Sequence, residues 1–200
     1  MNANRQLRRL MVVAHLLVAV NSSLTLQAQS SSSFGEWRAF GGNPANTKYS
    51  PLDQINVENF TDLEIAWRWT SISTEITNQR PSIRTASFKT APLMVGGLVY
   101  ASTGLGQVAA LDAGTGELVW SYDPQSYDRI DRPAHAGWHH RGVSYWKDDK
   151  SDDARIFIAT HDLLLVALNA NTGALYLDFG TDGWVDLSES LGREIDRARL

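Results

Sequence analysis

From residue 91 onward, short apolar runs alternate with tight polar turns. APLMV (91–95) ends at Gly96-Gly97, LVYAS (98–102) at TGLG, and QVAAL (107–111) at DAGTG, before ELVWSY (117–122) closes the set. Short β-rich runs joined by glycine-containing turns predict an antiparallel meander. The order then returns. GVSYW (142–146) precedes the charged loop KDDKSDDA, RIFIAT (155–160) turns near His161-Asp162 into LLLVAL (163–168), and NANTG leads into a predicted closing strand, ALYLDF (174–179).

The knot ALDAGTG (110–116) recurs as ALNANTG (167–173), 57 residues later. Asp112 and Asn169 suit Asx-turns, in which a side-chain oxygen accepts from backbone N–H groups just ahead. Thr115 and Thr172 add hydroxyls that do the same. Gly116 and Gly173 supply the positive φ that a bulged hairpin requires. Trp120 follows its knot's glycine by four residues and is expected to lie against a neighbouring unit, its ring buried and its N–H on a carbonyl. A four-strand unit repeated on this scale predicts propeller blades, an all-β fold. An ordinary pair of hairpins is the plainer alternative. LEIAWRW (63–69) resembles GELVWSY (116–122) and reads as a fourth strand whose own partners lie elsewhere, beyond residue 200. The stretch 34–63 is turn-rich, with a short helix expected near 53–61.

The N-terminus has the three-part form of an export signal. MNANRQLRRL carries Arg5, Arg8 and Arg9, LMVVAHLLVAV (10–20) is apolar, and a polar, small-residue stretch follows. The apolar run is too short for the ~20 residues of a membrane span. Residues 1–30 are therefore expected to be a signal peptide, cleaved after Ala28 or Ser30, and the mature chain to be periplasmic or secreted. Processing would leave it more acidic than its net charge of −4, which argues against nucleic acid as a partner. With no cysteine, the chain has neither a disulfide framework nor a thiolate metal site.

GGNPANTKYSPLDQIN, IAWRW, TGLGQVAALDAGTGELVWSYDP and HHRGVSYW together resemble the N-terminal part of the quinoprotein dehydrogenases, which use pyrroloquinoline quinone (PQQ). RGVSYW and the link DFGTDGWVDL are closer to the membrane glucose dehydrogenase branch. Methanol-type members carry adjacent cysteines where this chain has His135 and Ala136. The resemblance implies an eight-bladed propeller with PQQ on its axis. It also implies a calcium ion that polarises the quinone oxygen, an alcohol or sugar substrate that gives up a hydride, and an electron acceptor such as cytochrome c or a quinone.

Arg141 matches the family arginine that reaches the quinone oxygens, a role suited to a planar, permanently charged fork of donors. Lys89 stands where the family often has a glutamate beside PQQ, a departure that sets a cation where the family has an anion, and the resemblance implies its pairing with a PQQ carboxylate. The glucose branch places a histidine four residues before its arginine, facing the substrate. That position is Gly137 here, and either His139 or His140 is the candidate in its place. His135 and His139 have helical metal-ligand spacing, but Gly137 and the following strand argue against a helix. The family's catalytic Asp and calcium ligands lie in later blades, and none is identifiable in this sequence. About 170 residues after the leader supply roughly three blades, while closed propellers use ~4–8. Residues 31–200 are accordingly expected to form an incomplete propeller, a fragment inactive alone. The competing readings are a non-catalytic periplasmic propeller that scaffolds protein assembly, needing the knots but not the Arg-Gly motif, and a small β-sandwich closed within 29–200.

Overall fold

A computed structural model describes residues 35–86, 89–130, 137–189 and 191–196. The expected signal peptide, with both cleavage positions, and His135 and Ala136 lie outside these residues. Two four-stranded antiparallel sheets follow one another, each in sequential order. The first holds β1 (Leu93–Val95), β2 (Leu98–Ser102), β3 (Val108–Asp112) and β4 (Leu118–Tyr122). The second holds β5 (Ser144–Lys147), β6 (Ala154–Ala159), β7 (Leu164–Asn169) and β8 (Trp184–Asp186). Neither sheet closes on itself, so a self-contained sandwich is not formed by the described residues. Leu93, Val95, Tyr100 and Trp120 of the first sheet share one core with Ile156, Ile158, Val166 and Leu168 of the second. Burial alternates along β6, as expected where one face meets this core and the other does not.

The knots fold as the sequence predicts. Asp112 Oδ1 accepts from the N–H groups of Gly114 (2.9 Å) and Thr115 (2.8 Å). Asn169 Oδ1 accepts from those of Asn171 (2.9 Å) and Thr172 (3.1 Å). Gly116 and Gly173 have φ of +74° and +72°. Each knot is also a seat for an indole. Trp120 Nε1 donates to Ala170 O at 2.9 Å, and its ring lies where a Cβ on Gly173 would come within 2.6 Å. Trp67 Nε1 donates to Ala113 O at 3.0 Å, with its ring 2.5 Å from a Cβ built on Gly116. Ala113 and Ala170 are equivalent knot positions, so one docking rule operates twice. Glycine is required at these sites by φ and by ring contact together.

The structure corrects two expectations. The fourth strand of the second sheet is β8, not ALYLDF (174–179). A single bridge, Leu168 to Leu175, begins that pairing. The chain then leaves the ladder because its aromatics find partners on the sheet face: Phe179 packs edge-on to Phe157 at 5.4 Å, and Arg155 stacks on Tyr176 at 4.0 Å. Asp182 and Gly183, both at positive φ, return the chain, and Trp184 pairs with Val166. LEIAWRW (63–69) pairs with no strand among the described residues, as expected of a strand whose partners lie elsewhere, and its Trp67 docks as a fourth-strand Trp would. The expected helix near 53–61 is a single 3-10 turn, Phe60–Asp62. Two helices were not foreseen, α1 (Ser73–Gln79) and α2 (Ser126–Arg129). They border a second small core of Ile83, Leu105, Ile130 and Trp138.

Candidate functional site

In a sequential meander, alternate turns lie at opposite ends of the sheet. The knots occupy one end. At the other end the β2–β3 turn, Thr103–Gln107, is closed by Thr103 N–H donating to Gln107 O at 2.9 Å. The β6–β7 turn, Thr160–Leu164, is closed in the same way at 2.7 Å. These turns stand 57 residues apart, as the knots do, so His161 and Asp162 replace Gly104 and Leu105 of the first sheet.

The segment 137–142 runs past this end. Trp138 is buried and its carbonyl accepts from Ala86 N–H at 2.7 Å, while Arg141 O accepts from Ala91 N–H at 3.3 Å. Three imidazoles cluster here, and their carbonyl partners fix their tautomers, because a carbonyl only accepts. His140 Nε2–H donates to Ala159 O at 2.9 Å. Its Nδ1 is therefore bare and accepts from Ser102 Oγ (2.9 Å) and Gly142 N–H (3.2 Å). His161 Nε2–H donates to His139 O at 2.9 Å, which leaves a buried Nδ1 with no partner among the described residues. His139 Nδ1–H donates to Gly137 O at 3.1 Å, and its Nε2 keeps a free lone pair. Burial pushes the His140 pKa below the ordinary value, and the neighbouring His139 adds to this. Burial likewise depresses His161, with His140 and His139 contributing. Both rings are neutral near pH 7.

A pocket of about 460 Å³ opens between the segment and the second sheet. His139, His140, Arg141, Thr160 and His161 supply its polar lining, and Phe157 and Leu165 part of its apolar wall. Arg141 is exposed and forms no ion pair with a carboxylate among the described residues. Lys89 is also exposed, next to Thr90, but does not line the pocket. Of the four residues singled out from the sequence, the fold thus brings Arg141, His139 and His140 together and leaves Lys89 outside.

Sequence reasoning missed the groups behind this lining. Asp162 is 1% exposed and accepts from Ser126 Oγ (2.7 Å), Thr160 Oγ1 (2.6 Å) and Arg129 Nε. Burial alone would raise its pKa, but the hydrogen bonds from Arg129, Thr160 and Ser126 outweigh it and hold the carboxyl below the ordinary value. It therefore ties α2 to the β6–β7 turn as a carboxylate. A signal for it existed: aligning the knots sets a charged Asp162 opposite the apolar Leu105, which is itself fully buried.

Comparison with known proteins agrees with this fold. Residues 37–199 match the protein-family profile described as PQQ: glucose/ethanol/alcohol dehydrogenase, beta-propeller domain. The dehydrogenase subunit of an alcohol dehydrogenase (quinone) from Gluconobacter oxydans is 36% identical over 70% of this chain and 16% of its own length. Quinoprotein glucose dehydrogenase A from Acinetobacter calcoaceticus is 30% identical over 82% of this chain and 22% of its own. The crystal structure of quinohemoprotein alcohol dehydrogenase from Comamonas testosteroni superimposes with a TM-score of 0.62 at 29% identity, covering 80% of this chain and 20% of that one. The chain thus spans about a fifth of the length of such relatives. Its two sheets are consecutive blades of a propeller, and the chain belongs to the PQQ-dependent glucose/ethanol/alcohol dehydrogenase propeller family.

Proposed function

We propose that this chain supplies part of the PQQ site of an exported quinoprotein oxidoreductase that acts on an alcohol or a sugar. The observation that carries the reading is the Arg141 guanidinium, exposed at the pocket without a carboxylate partner among the described residues. PQQ is a planar ortho-quinone bearing three carboxylates. A free planar cation beside an apolar wall of Phe157 and Leu165 fits such a group better than it fits a neutral ligand. When bound, PQQ supplies the two-electron sink for the oxidation. Arg141 would bind its oxygens and oppose the negative charge that develops there.

Of the two histidine candidates, His139 suits the substrate side. Both ring nitrogens of His140 are engaged, whereas His139 Nε2 keeps a lone pair at the pocket lining. It accepts a hydrogen bond from a substrate hydroxyl and so orients the carbinol. Relatives are named for both kinds of electron acceptor, a quinone and cytochrome c, and one of these classes is proposed as the oxidant here. Calcium is proposed as the metal. Export by the leader 1–30 completes the reading.

The test is to titrate PQQ into the full-length apoprotein and its variants, following binding by equilibrium dialysis and turnover by dye reduction. Loss of a charge-assisted hydrogen bond costs about 1.5–3 kcal/mol, so Arg141→Ala is expected to weaken PQQ binding roughly ten- to hundredfold. Arg141→Lys keeps the charge without the fork and recovers part of the loss. Wild-type affinity in Arg141→Ala would overturn the assignment.

A further inference from the structure

We infer that His140 is a positioning residue: a clamp between the two blades that fixes the peptide following Arg141 and thereby aims its guanidinium into the pocket. The inference rests on the PQQ reading of Arg141. Its geometric basis is independent of that reading.

The clamp is built from equivalent places in the two blades. Ser102 ends β2, and Ala159, 57 residues on, ends β6. His140 is held by both, through Nδ1 to the Ser102 hydroxyl and through Nε2–H to the Ala159 carbonyl. Ser102 is fully buried and is itself held by Thr90, whose Oγ1 lies 2.5 Å from Ser102 Oγ and 2.9 Å from Ser102 O. With Nδ1 bare, donation runs from Thr90 through Ser102 to His140. The same Nδ1 receives Gly142 N–H. The 141–142 peptide is therefore pinned at both of its polar ends, because Arg141 O takes Ala91 N–H. Gly142 has φ +135°, and a Cβ there would meet Ala91 O at 3.2 Å, so the pinned peptide is open only to glycine.

The consequence is directional. A proton on Nδ1 sets two donors, Nδ1–H and Gly142 N–H, against each other. The hydroxyls of Ser102 and Thr90 can rotate to accept, whereas an amide cannot. The peptide beside Arg141 is then released. The titratable and charged groups around the ring are His139 and Arg141 on its own segment and His161 from the β6–β7 turn, with centroids 6.0 Å apart. None is a carboxylate, and none of them favours that proton.

The experiment uses the full-length protein with and without PQQ. Ring-15N spectra should show His140 neutral with Nδ1 unprotonated. Amide exchange at Gly142, read without cofactor, should be protected in the wild type and rise at least tenfold in His140→Ala. PQQ affinity should fall about tenfold in that variant, the worth of one well-placed hydrogen bond. His140→Asn places an amide oxygen near the Nδ1 site, so it should restore Gly142 protection and bring affinity to within about threefold of wild type. Below the His140 transition the wild type should lose affinity, and the Asn variant should not. A protonated Nδ1 at neutral pH, or an unprotected Gly142 in the wild type, would overturn the clamp. Full PQQ affinity in folded His140→Ala would also overturn it, by showing a merely structural role. If Arg141→Ala instead binds PQQ normally, the cofactor reading fails while the Gly142 exchange arm still decides whether the clamp exists.

Discussion

The docking of an indole on each knot glycine makes Gly173→Ala an informative perturbation. Gly96 and Gly173 have similar backbone angles, φ +60° and +72°, but a Cβ on Gly96 meets nothing within 4 Å, whereas on Gly173 it comes within 2.6 Å of the Trp120 ring. Gly96→Ala thus isolates the left-handed term, about 1–2 kcal/mol, reduced somewhat by the stiffer unfolded chain. Gly173→Ala adds a second term. Carbon contacts settle at ~3.5–4.0 Å, so the ring must retreat by roughly 1 Å. That lengthens the Trp120 Nε1–Ala170 O bond beyond its 2.9 Å and overpacks the interface between the blades. Overpacking costs ~1–3 kcal/mol and a lost hydrogen bond ~0.5–1.5 kcal/mol. We expect Gly173→Ala to be about 2–4 kcal/mol less stable than Gly96→Ala. Urea unfolding of the full-length protein, followed by tryptophan emission and circular dichroism, measures the difference. In a Trp120→Ala background the excess should vanish, so the coupling in the double-mutant cycle should match it, at about 2–4 kcal/mol. Equal losses for the two glycines, or additivity with Trp120→Ala, would refute the reasoning.

Other outcomes follow from the same geometry. Asp162 is held below the ordinary carboxylate value of 3.8, so its contribution is present above that pH and is lost as pH falls toward the folded value; Asp162→Asn should lower neutral-pH stability and flatten the acid limb of a denaturation profile. His140 and His161 are held below 6.5, so the unfolded chain takes protons that the folded rings refuse. Stability should therefore decline as pH drops below 6.5, less steeply in His140→Asn. Asn169→Ala removes the acceptor for two backbone N–H groups of the second knot and should cost ~1–2 kcal/mol, measured by urea midpoint. Protein recovered from the periplasm or medium should begin near Gln29 or Ser31 by mass spectrometry; intact Met1 in soluble cytoplasmic protein would refute the export reading.

How far the fold is legible depends on whether a residue's partner is near it in sequence. The knots are local: Asp112 and Asn169 reach only two or three residues ahead, so composition alone specifies them. The first sheet is a plain meander, and its strands fall within a residue or two of their predicted bounds. The last strand fails for a non-local reason. ALYLDF has the better β composition, yet Phe179 and Tyr176 are claimed by Phe157 and Arg155 on the sheet face, and the less apolar Trp184–Asp186 takes the ladder. The helices were hidden because neither carries a side-chain cap. The residue before α2, Gln125, even has positive φ.

The site divides along the same line, and the repeat shows where to look. Arg141, His139 and His140 were reached through a motif, but what holds them was not: His140 meets Ser102 across 38 residues, and Asp162 meets Arg129 across 33. A repeat offers its own internal control, however. At the knot end the two blades keep the same side-chain logic, because both must seat an indole. At the other end the turns keep their backbone closure and diverge in chemistry: His161 and Asp162 replace Gly104 and Leu105, and a charge occupies a fully buried apolar position. Burying a carboxylate is unfavourable unless several donors meet it. A blade that nonetheless carries one, with three donors in place, is using that turn for more than closing a hairpin. The turn holds Thr160 and His161 at the pocket lining, one blade across from Ser102. The end at which the repeat is least faithful is therefore the end that lines the pocket.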